Sequence, residues 1–407
     1  MGGDNNKNLG YRFGPLILRL AILQQSYGRF GGAERLAFSH YLQLKKMNKD
    51  VTLFYSGTIP LDWKKRFQNE PVRTIPNGIA KSLSQLGNLR SFLRELRNYD
   101  RIIIHHHVEP LLAYFISKLF GKITTWYSGG GLFELSYSTG RDYRSLSPTL
   151  PATTKEFYGN ILARLIRYDA LYNIFKTIIY AYDVSTVKGY GKIVANSHFT
   201  AKSLVKSYRL RTKPDVVYPA ADPVLEKLAS ENSHHEGDYM LSVGALTPQK
   251  NLDTIIHAAS AVPSAKLTFV GYGNEGQNLS DLARKLQVPL VIKESQDVDN
   301  LAGDYAGCKF LLHPAIYEPF GLTPIEAALF SKPSIVTNRG GPCETVLNGE
   351  TGFVTAPMER RNISKLMHLL LFDDQLRLDM GRKARDFVRD RFSIERSTKD
   401  LLAAIEQ

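Results

Sequence analysis

Short, almost wholly apolar runs alternate along the chain with longer stretches whose apolar residues recur every three to four positions. "LILRLAILQ", "DVTLFYS", "RIIIHHH" and "KITTWYS" in the first half have the length and apolar density of strands buried on both faces. So do "YMLSVGA", "KLTFVG", "LVIKE", "KFLLHP", "SIVTN" and "TGFVT" in the second. Helices are predicted between them, beginning near Ala33, Ser82 and Pro110 in the first half. Each half therefore reads as an alternating α/β unit, a parallel sheet covered on both faces by helices. The alternation breaks at "VVYPAADPVLEKLASENSHHEGDY", where a strand closes in proline and a polar stretch precedes a fresh strand at Met240. This predicts a hinge near Ala221 to Gly237, a first domain over residues 1–222 and a second over 223–392. Two such domains meeting at the carboxyl ends of their strands would enclose a cleft, where open α/β sheets bind ligands.

Composition narrows this without changing it. The chain has 407 residues, 43% hydrophobic and 22% charged, the balance of a soluble protein too long for one ordinary core. No uninterrupted apolar run reaches membrane-spanning length, and the candidate from Ile102 to Ile123 carries three histidines, a glutamate and two lysines. The opening "MGGDNNKNLGYRFG" lacks the features of a secretory signal, and with only Cys308 and Cys343 no disulfide framework or zinc site is expected. A reducing cytoplasm fits best.

Charge does change the picture. Residues 1–222 hold 32 Lys and Arg against 15 Asp and Glu, while residues 223–407 hold 20 against 24. A basic first domain suits an anionic partner such as a phosphorylated substrate or an anionic membrane surface, although a generally basic proteome would give the same imbalance. Nucleic acid is disfavoured, because the arginines follow no base-stacking or helix-turn-helix pattern. "LRSFLRELRNYDR", 89–101, groups Leu89, Phe92, Leu93 and Leu96 on one helical face, and reads as a packing helix before a membrane-surface one.

Candidate chemistry gathers after the strands. "VGALTPQKN", 243–251, brings Lys250 to the start of a helix, where a cation meets phosphate readily. "FGLTP", 320–324, offers the free amides of Gly321, Leu322 and Thr323 at another helix start. Glycine pairs follow strands in "NRGGPCETV", 338–346, and in "GRFGGAERL", 28–36, which contains Gly31 and Gly32. Geometry alone favours glycine in such turns. Thr323, Pro324 and Glu326 spell a capping box, which accounts for Glu326 and leaves Glu318 without a structural reason. His105 and His107 share a face by strand alternation, and of the two His107 is expected in the cleft, with a plain hydrogen-bonded histidine as the alternative.

"HPAIYEPFGLTPIEAALFSKPSIVTNRGGPCETVLNGETGFV", 313–354, resembles the signature block of the retaining glycosyltransferases of family 4, which have the GT-B fold. Glu318 and Glu326 match that family's E-x7-E motif, and the likeness extends to "SVGALTPQKN", "IVANSHFTAKSL", "VVYPAAD" and "GGAERLA". It implies two Rossmann-like domains facing each other across a cleft, with residues 393–407 forming a helix that crosses back to the first domain. It further implies a nucleotide diphosphate sugar donor, GDP- or UDP-linked, no metal, and a glycan or lipid-linked glycan acceptor. Mannosyl is the slightly preferred hexosyl unit. In that picture Glu318 holds donor-sugar hydroxyls, Lys250 and the amides of Gly321, Leu322 and Thr323 hold the diphosphate, and Glu326 binds the ribose while capping its helix.

Two positions depart from the family pattern. An arginine usual five places before the phosphate lysine is Ala245 here, with Arg339 a candidate replacement, and a histidine usual after a later strand is replaced by Tyr127 and Ser128. The competing readings are an NAD(P)-dependent oxidoreductase using "GYGNEG", 271–276, with Glu294 some twenty residues on, and a non-catalytic nucleotide-sugar binder. "DVD", 297–299, matches the D-x-D of metal-dependent glycosyltransferases but reads better as a first-turn acidic cluster.

Overall fold

The structure is a computed structural model, and it describes residues 18–26, 31–67, 70–76, 85–106, 108–129, 169–231, 237–294 and 297–406. In the first domain the strands are β1 (Arg19–Gln25), β2 (Asp50–Ser56), β3 (Val72–Thr74), β4 (Arg101–His105), β5 (Thr124–Ser128), β6 (Lys192–Ala195) and β7 (Asp215–Val216). The helices are α1 (Gly32–Lys46), α2 (Leu61–Phe67), α3 (Gln85–Leu96), α4 (Pro110–Leu119), α5 (Asp169–Val187) and α6 (His198–Tyr208). The second domain has strands β8 (Met240–Val243), β9 (Leu267–Val270), β10 (Leu290–Lys293), β11 (Leu311–His313), β12 (Ser334–Thr337) and β13 (Gly352–Thr355). Its helices are α7 (Pro223–Glu231), α8 (Leu252–Ala259), α9 (Gly276–Lys285), α10 (Val298–Gly307), α11 (Leu322–Leu329), α12 (Arg360–Phe372) and α13 (Asp374–Arg391), and α14 (Ile394–Glu406) ends the chain.

Among the described residues the strands form two sheets, ordered 3-2-1-4-5-6-7 and 10-9-8-11-12-13, with parallel pairing throughout. Both orders reverse beside the first strand, between β1 and β4 and between β8 and β11. A crevice opens at such a reversal, because the loops leaving the two neighbouring strands turn to opposite faces of the sheet. The two parallel sheets are the α/β class the apolar runs imply. Those runs are legible because a strand covered on both faces needs no polar side: in β1 every residue after Arg19 is buried.

In α3, Leu89, Phe92 and Leu96 are buried in the core while Arg90 and Arg94 face solvent, so it is a packing helix. No helix among the described residues is long and apolar enough to cross a membrane. Two crossings join the domains side by side, Ala221 N–H donating to the carbonyl of Phe392 at 3.2 Å. Beyond the second crossing, α14 buries Leu401, Leu402 and Ile405 in the first domain's core with Phe38 and Tyr41 of α1. Each such side chain contributes roughly 1.5–3 kcal/mol of burial.

Candidate active site

The second domain's reversal point carries the acid and the lysine. After β8 the chain turns at Gly244 (φ +145°), passes Ala245 and makes a short 3-10 turn, Pro248–Lys250, which returns Lys250 toward the strand ends. Its ammonium pairs with the Glu318 carboxylate. The Glu318 main chain is clamped by the glycine pair after β12. Glu318 and Gly340 form a parallel bridge, and Gly341 N–H donates to the Glu318 carbonyl at 2.9 Å. A Cβ on Gly340, whose φ is +121°, would stand 2.0 Å from that carbonyl oxygen, so only glycine lets the two loops touch.

His313 completes the group. It ends β11, its Nε2 lies 3.7 Å from the Glu318 carboxylate and its Nδ1 lies 3.0 Å from Thr323 Oγ1. Burial, aided by Lys250 and opposed by Glu318, lowers the His313 pKa to about 4, so the ring is neutral near pH 7. For Glu318, burial favours the neutral acid, but Lys250 and His313 together outweigh it and the carboxyl titrates below its usual range. The acid is thus ionised and held ready to accept hydrogen bonds.

Above this group lies a cavity of about 580 Å³ lined by both domains. Gly321 (φ +95°) is the N-cap of α11, no side chain caps that helix, and a Cβ on Gly32 would lie 2.5 Å from Leu322 Cδ1. Gly32 therefore lets the start of α1 approach the start of α11, and two positive helix ends converge on the cavity. In α1 the Glu34 carboxylate accepts from Gly31 N–H at 3.0 Å, which is why this helix begins cleanly without a hydroxyl cap.

Several expectations need correcting. Glu326 and Thr323 form no capping box: the helix starts two residues earlier, and the Thr323 hydroxyl goes to His313. Glu326, 1% exposed, instead accepts from Arg35 of the first domain at 3.0 Å and from Tyr305 OH at 2.7 Å. Arg339 is exposed and outside the cavity lining, where Arg35 and Arg66 supply the extra cations. His107 lies outside the described residues. His105 is buried, while His106, with φ +54°, lines the cavity because the left-handed turn ends strand alternation there. Tyr127 is a core residue whose hydroxyl donates to the Val217 carbonyl at 2.9 Å.

The glycines of 271–276 have a packing duty. A Cβ on Gly271 would lie 1.8 Å from the Gly244 carbonyl and one on Gly273 2.1 Å from that of Leu246, so they seat the β9 loop on the β8 loop. They also follow β9, which lies off the reversal point. Asp297 of "DVD" caps α10, accepting from Asn300 N–H at 2.7 Å.

Sequence reasoning missed His313, Arg35, Asp222 and Glu344. Glu344 reaches across the domains to the start of α6, accepting from His198 N–H at 2.9 Å, Phe199 N–H at 2.8 Å and Tyr218 OH at 2.9 Å. Beside it the Ser197 hydroxyl donates to the Pro319 carbonyl at 2.6 Å, next to Glu318. Arg35, Asp222 and Glu344 all lie in stretches singled out above, but their partners are distant in the chain: Arg35 and Glu344 pair across the hinge, and Asp222 meets Arg35 and Arg66 of its own domain.

Comparison with known proteins fits this geometry. The family model "Glycosyltransferase Family 4" matches residues 30–225, and "Glycosyl transferases group 1" matches residues 225–387. Alpha-1,3/1,6-mannosyltransferase ALG2 of Dictyostelium discoideum is 23% identical over 96% of this chain and 98% of its own length. An uncharacterized glycosyltransferase of Methanocaldococcus jannaschii is 25% identical over 53% of this chain and 59% of its own. The crystal structure of Anabaena Alr3699/HepE in complex with UDP and glucose superposes with a TM-score of 0.69 over 96% of this chain and 99% of that one, at 17% identity. With two such matches meeting at the hinge and a GT-B architecture around the cleft, the chain is a glycosyltransferase of family 4.

Proposed function

We propose that this glycosyltransferase takes a hexosyl unit, mannosyl by slight preference, from a nucleotide diphosphate sugar and passes it, with retention and without a metal, to a glycan or lipid-linked glycan. The observation that carries the reading is the Lys250–Glu318 pair facing two uncapped or glycine-capped helix starts across one cavity. As the bond from the anomeric carbon to the donor phosphate breaks, positive charge grows on the sugar and negative charge on the leaving diphosphate. The Lys250 ammonium and the amides of Gly321, Leu322 and Thr323 stabilise the second, a preorganised arrangement that costs no reorganisation during reaction. Glu318, ionised, accepts sugar hydroxyls and orients the anomeric carbon; Glu326, with lone pairs left beyond Arg35 and Tyr305, accepts the ribose hydroxyls. The acceptor oxygen forms its bond on the face the phosphate leaves, and its proton passes to the departing phosphate oxygen.

The mannosyl preference leans on the likeness to the Dictyostelium enzyme, and a UDP donor on that to the Anabaena protein. A cytoplasmic protein resting on the inner membrane face suits the basic first domain and a lipid-linked acceptor. Thermal shifts with GDP-, UDP- and ADP-sugars, followed by transfer assays, test the reading: the true donor raises the melting temperature by mass action, and Glu318→Ala keeps that shift but loses transfer. Transfer surviving in the variant, or a shift with NAD(P) alone, refutes it.

A further inference from the structure

A diphosphate calls for more positive charge than the second domain supplies, since Lys250 is already paired with Glu318 and Ala245 brings no cation to the lining. Two arginines of the first domain line the same cavity, Arg35 and Arg66. Arg66 stacks 4.1 Å above the Trp63 ring and lies 3.4 Å from Asp222 Oδ1. Arg35 lies one helical turn beyond Gly31, so its guanidinium rises beside the start of α1. It sits 3.0 Å from Glu326 and 3.8 Å from Asp222 Oδ2, an oxygen that accepts no hydrogen bond. Burial pulls its pKa down, but Glu326 and Asp222 more than offset that. A guanidinium carries several N–H donors in a planar fork, and one close carboxylate contact leaves most of them unspent.

Resting on the donor class proposed above, we propose that Arg35 is the second cation of the diphosphate site, supplied by the opposite domain, with Glu326 and Tyr305 as the positioning residues that aim it. Tyr305 fixes one Glu326 oxygen and Arg35 binds the other, so the fork keeps its remaining N–H groups for phosphate. Since Arg35 and Lys250 belong to different domains, a bound diphosphate ties the two together. Ala245 then needs no cation, because the same cavity takes one from the other domain.

Calorimetry separates the idea from its premise. UDP, uridine, GDP and guanosine are titrated into the full chain and into R35Q, R35K and the double variant R35Q/A245R. The expected result is a loss of roughly 10- to 100-fold in nucleoside diphosphate affinity for R35Q, well beyond the smaller change in nucleoside affinity that passes through Glu326. R35K, which keeps a charge beside Glu326 but loses the fork, falls between, and A245R recovers affinity in the R35Q background. Unchanged diphosphate affinity in R35Q, or an equal loss for nucleoside and nucleoside diphosphate, overturns the assignment. Wild-type protein that binds none of the ligands overturns the donor class itself, a separate outcome.

Discussion

Replacing Lys250 with methionine removes the ammonium while keeping much of the side chain's bulk, and the structure says what should follow. Lys250 and Glu318 are 25% and 19% exposed at their side chains, so their attraction is less screened than that of a surface pair. Without Lys250, burial is no longer offset at Glu318, and its pKa moves up from its present lowered position. Leaving that carboxylate with only neutral His313 should cost about 1–3 kcal/mol of stability, below the ~3–5 kcal/mol typical of a fully buried pair. Transfer should suffer more, since losing a preorganised donor to developing negative charge typically costs about 10²–10³ in rate. The decisive comparison adds Glu318→Gln to Lys250→Met. The double variant should regain most of the melting temperature, because no uncompensated charge remains, while donor turnover by product chromatography stays at or below the level of the worse single variant. Activity recovering along with stability would show that the pair is structural and the reasoning wrong.

Glu344→Gln should lower stability by about 1–2 kcal/mol, since the charge that caps α6 from the other domain is lost; denaturant titration reads it, and an unchanged midpoint contradicts the cross-domain cap. Gly340→Ala should reduce transfer far more than it reduces donor binding, because a Cβ 2.0 Å from the Glu318 carbonyl must displace the acid; equal kinetics in the variant would refute the clamp. His40, whose pKa burial lowers to about 3, and His313, at about 4, favour the native state only when neutral. Protons then bind the unfolded chain first as pH falls below about 6.5, so stability is full above that value and drops toward pH 4, by about 2 kcal/mol per histidine at pH 5. His40→Gln should lose less stability between pH 7 and 5 than the parent, and an identical drop would sink this account.

Much of the architecture is legible because long parallel strands repeat one physical demand. "DVTLFYS" coincides with β2 residue for residue, and the helix begins inside "GRFGGAERL" at Gly32, where the glycine pair and Glu34 place it. β3, "VRT", escapes because a three-residue, largely exposed strand carries no apolar signal, and β7 has two residues only. The site divides the same way. Lys250, Glu318 and the Gly321 helix start all belong to one domain's reversal point, and their spacing betrays them. Arg35 and Glu344 draw their roles from contacts across the hinge, and Asp222 from two arginines far away along the chain, which no local pattern encodes. Glu326 shows how a good local motif can mislead: the spacing spells a capping box, but a buried cross-domain partner takes the carboxylate instead.

The most direct test of the central claim is a crystal structure of the chain with UDP or GDP bound. The account predicts the diphosphate in the interdomain cavity, within hydrogen-bond distance of the Lys250 ammonium and the amides of Gly321 to Thr323, with Glu318 open toward the missing sugar. A diphosphate seated on the Gly271–Gly276 turn, away from Lys250, would contradict it.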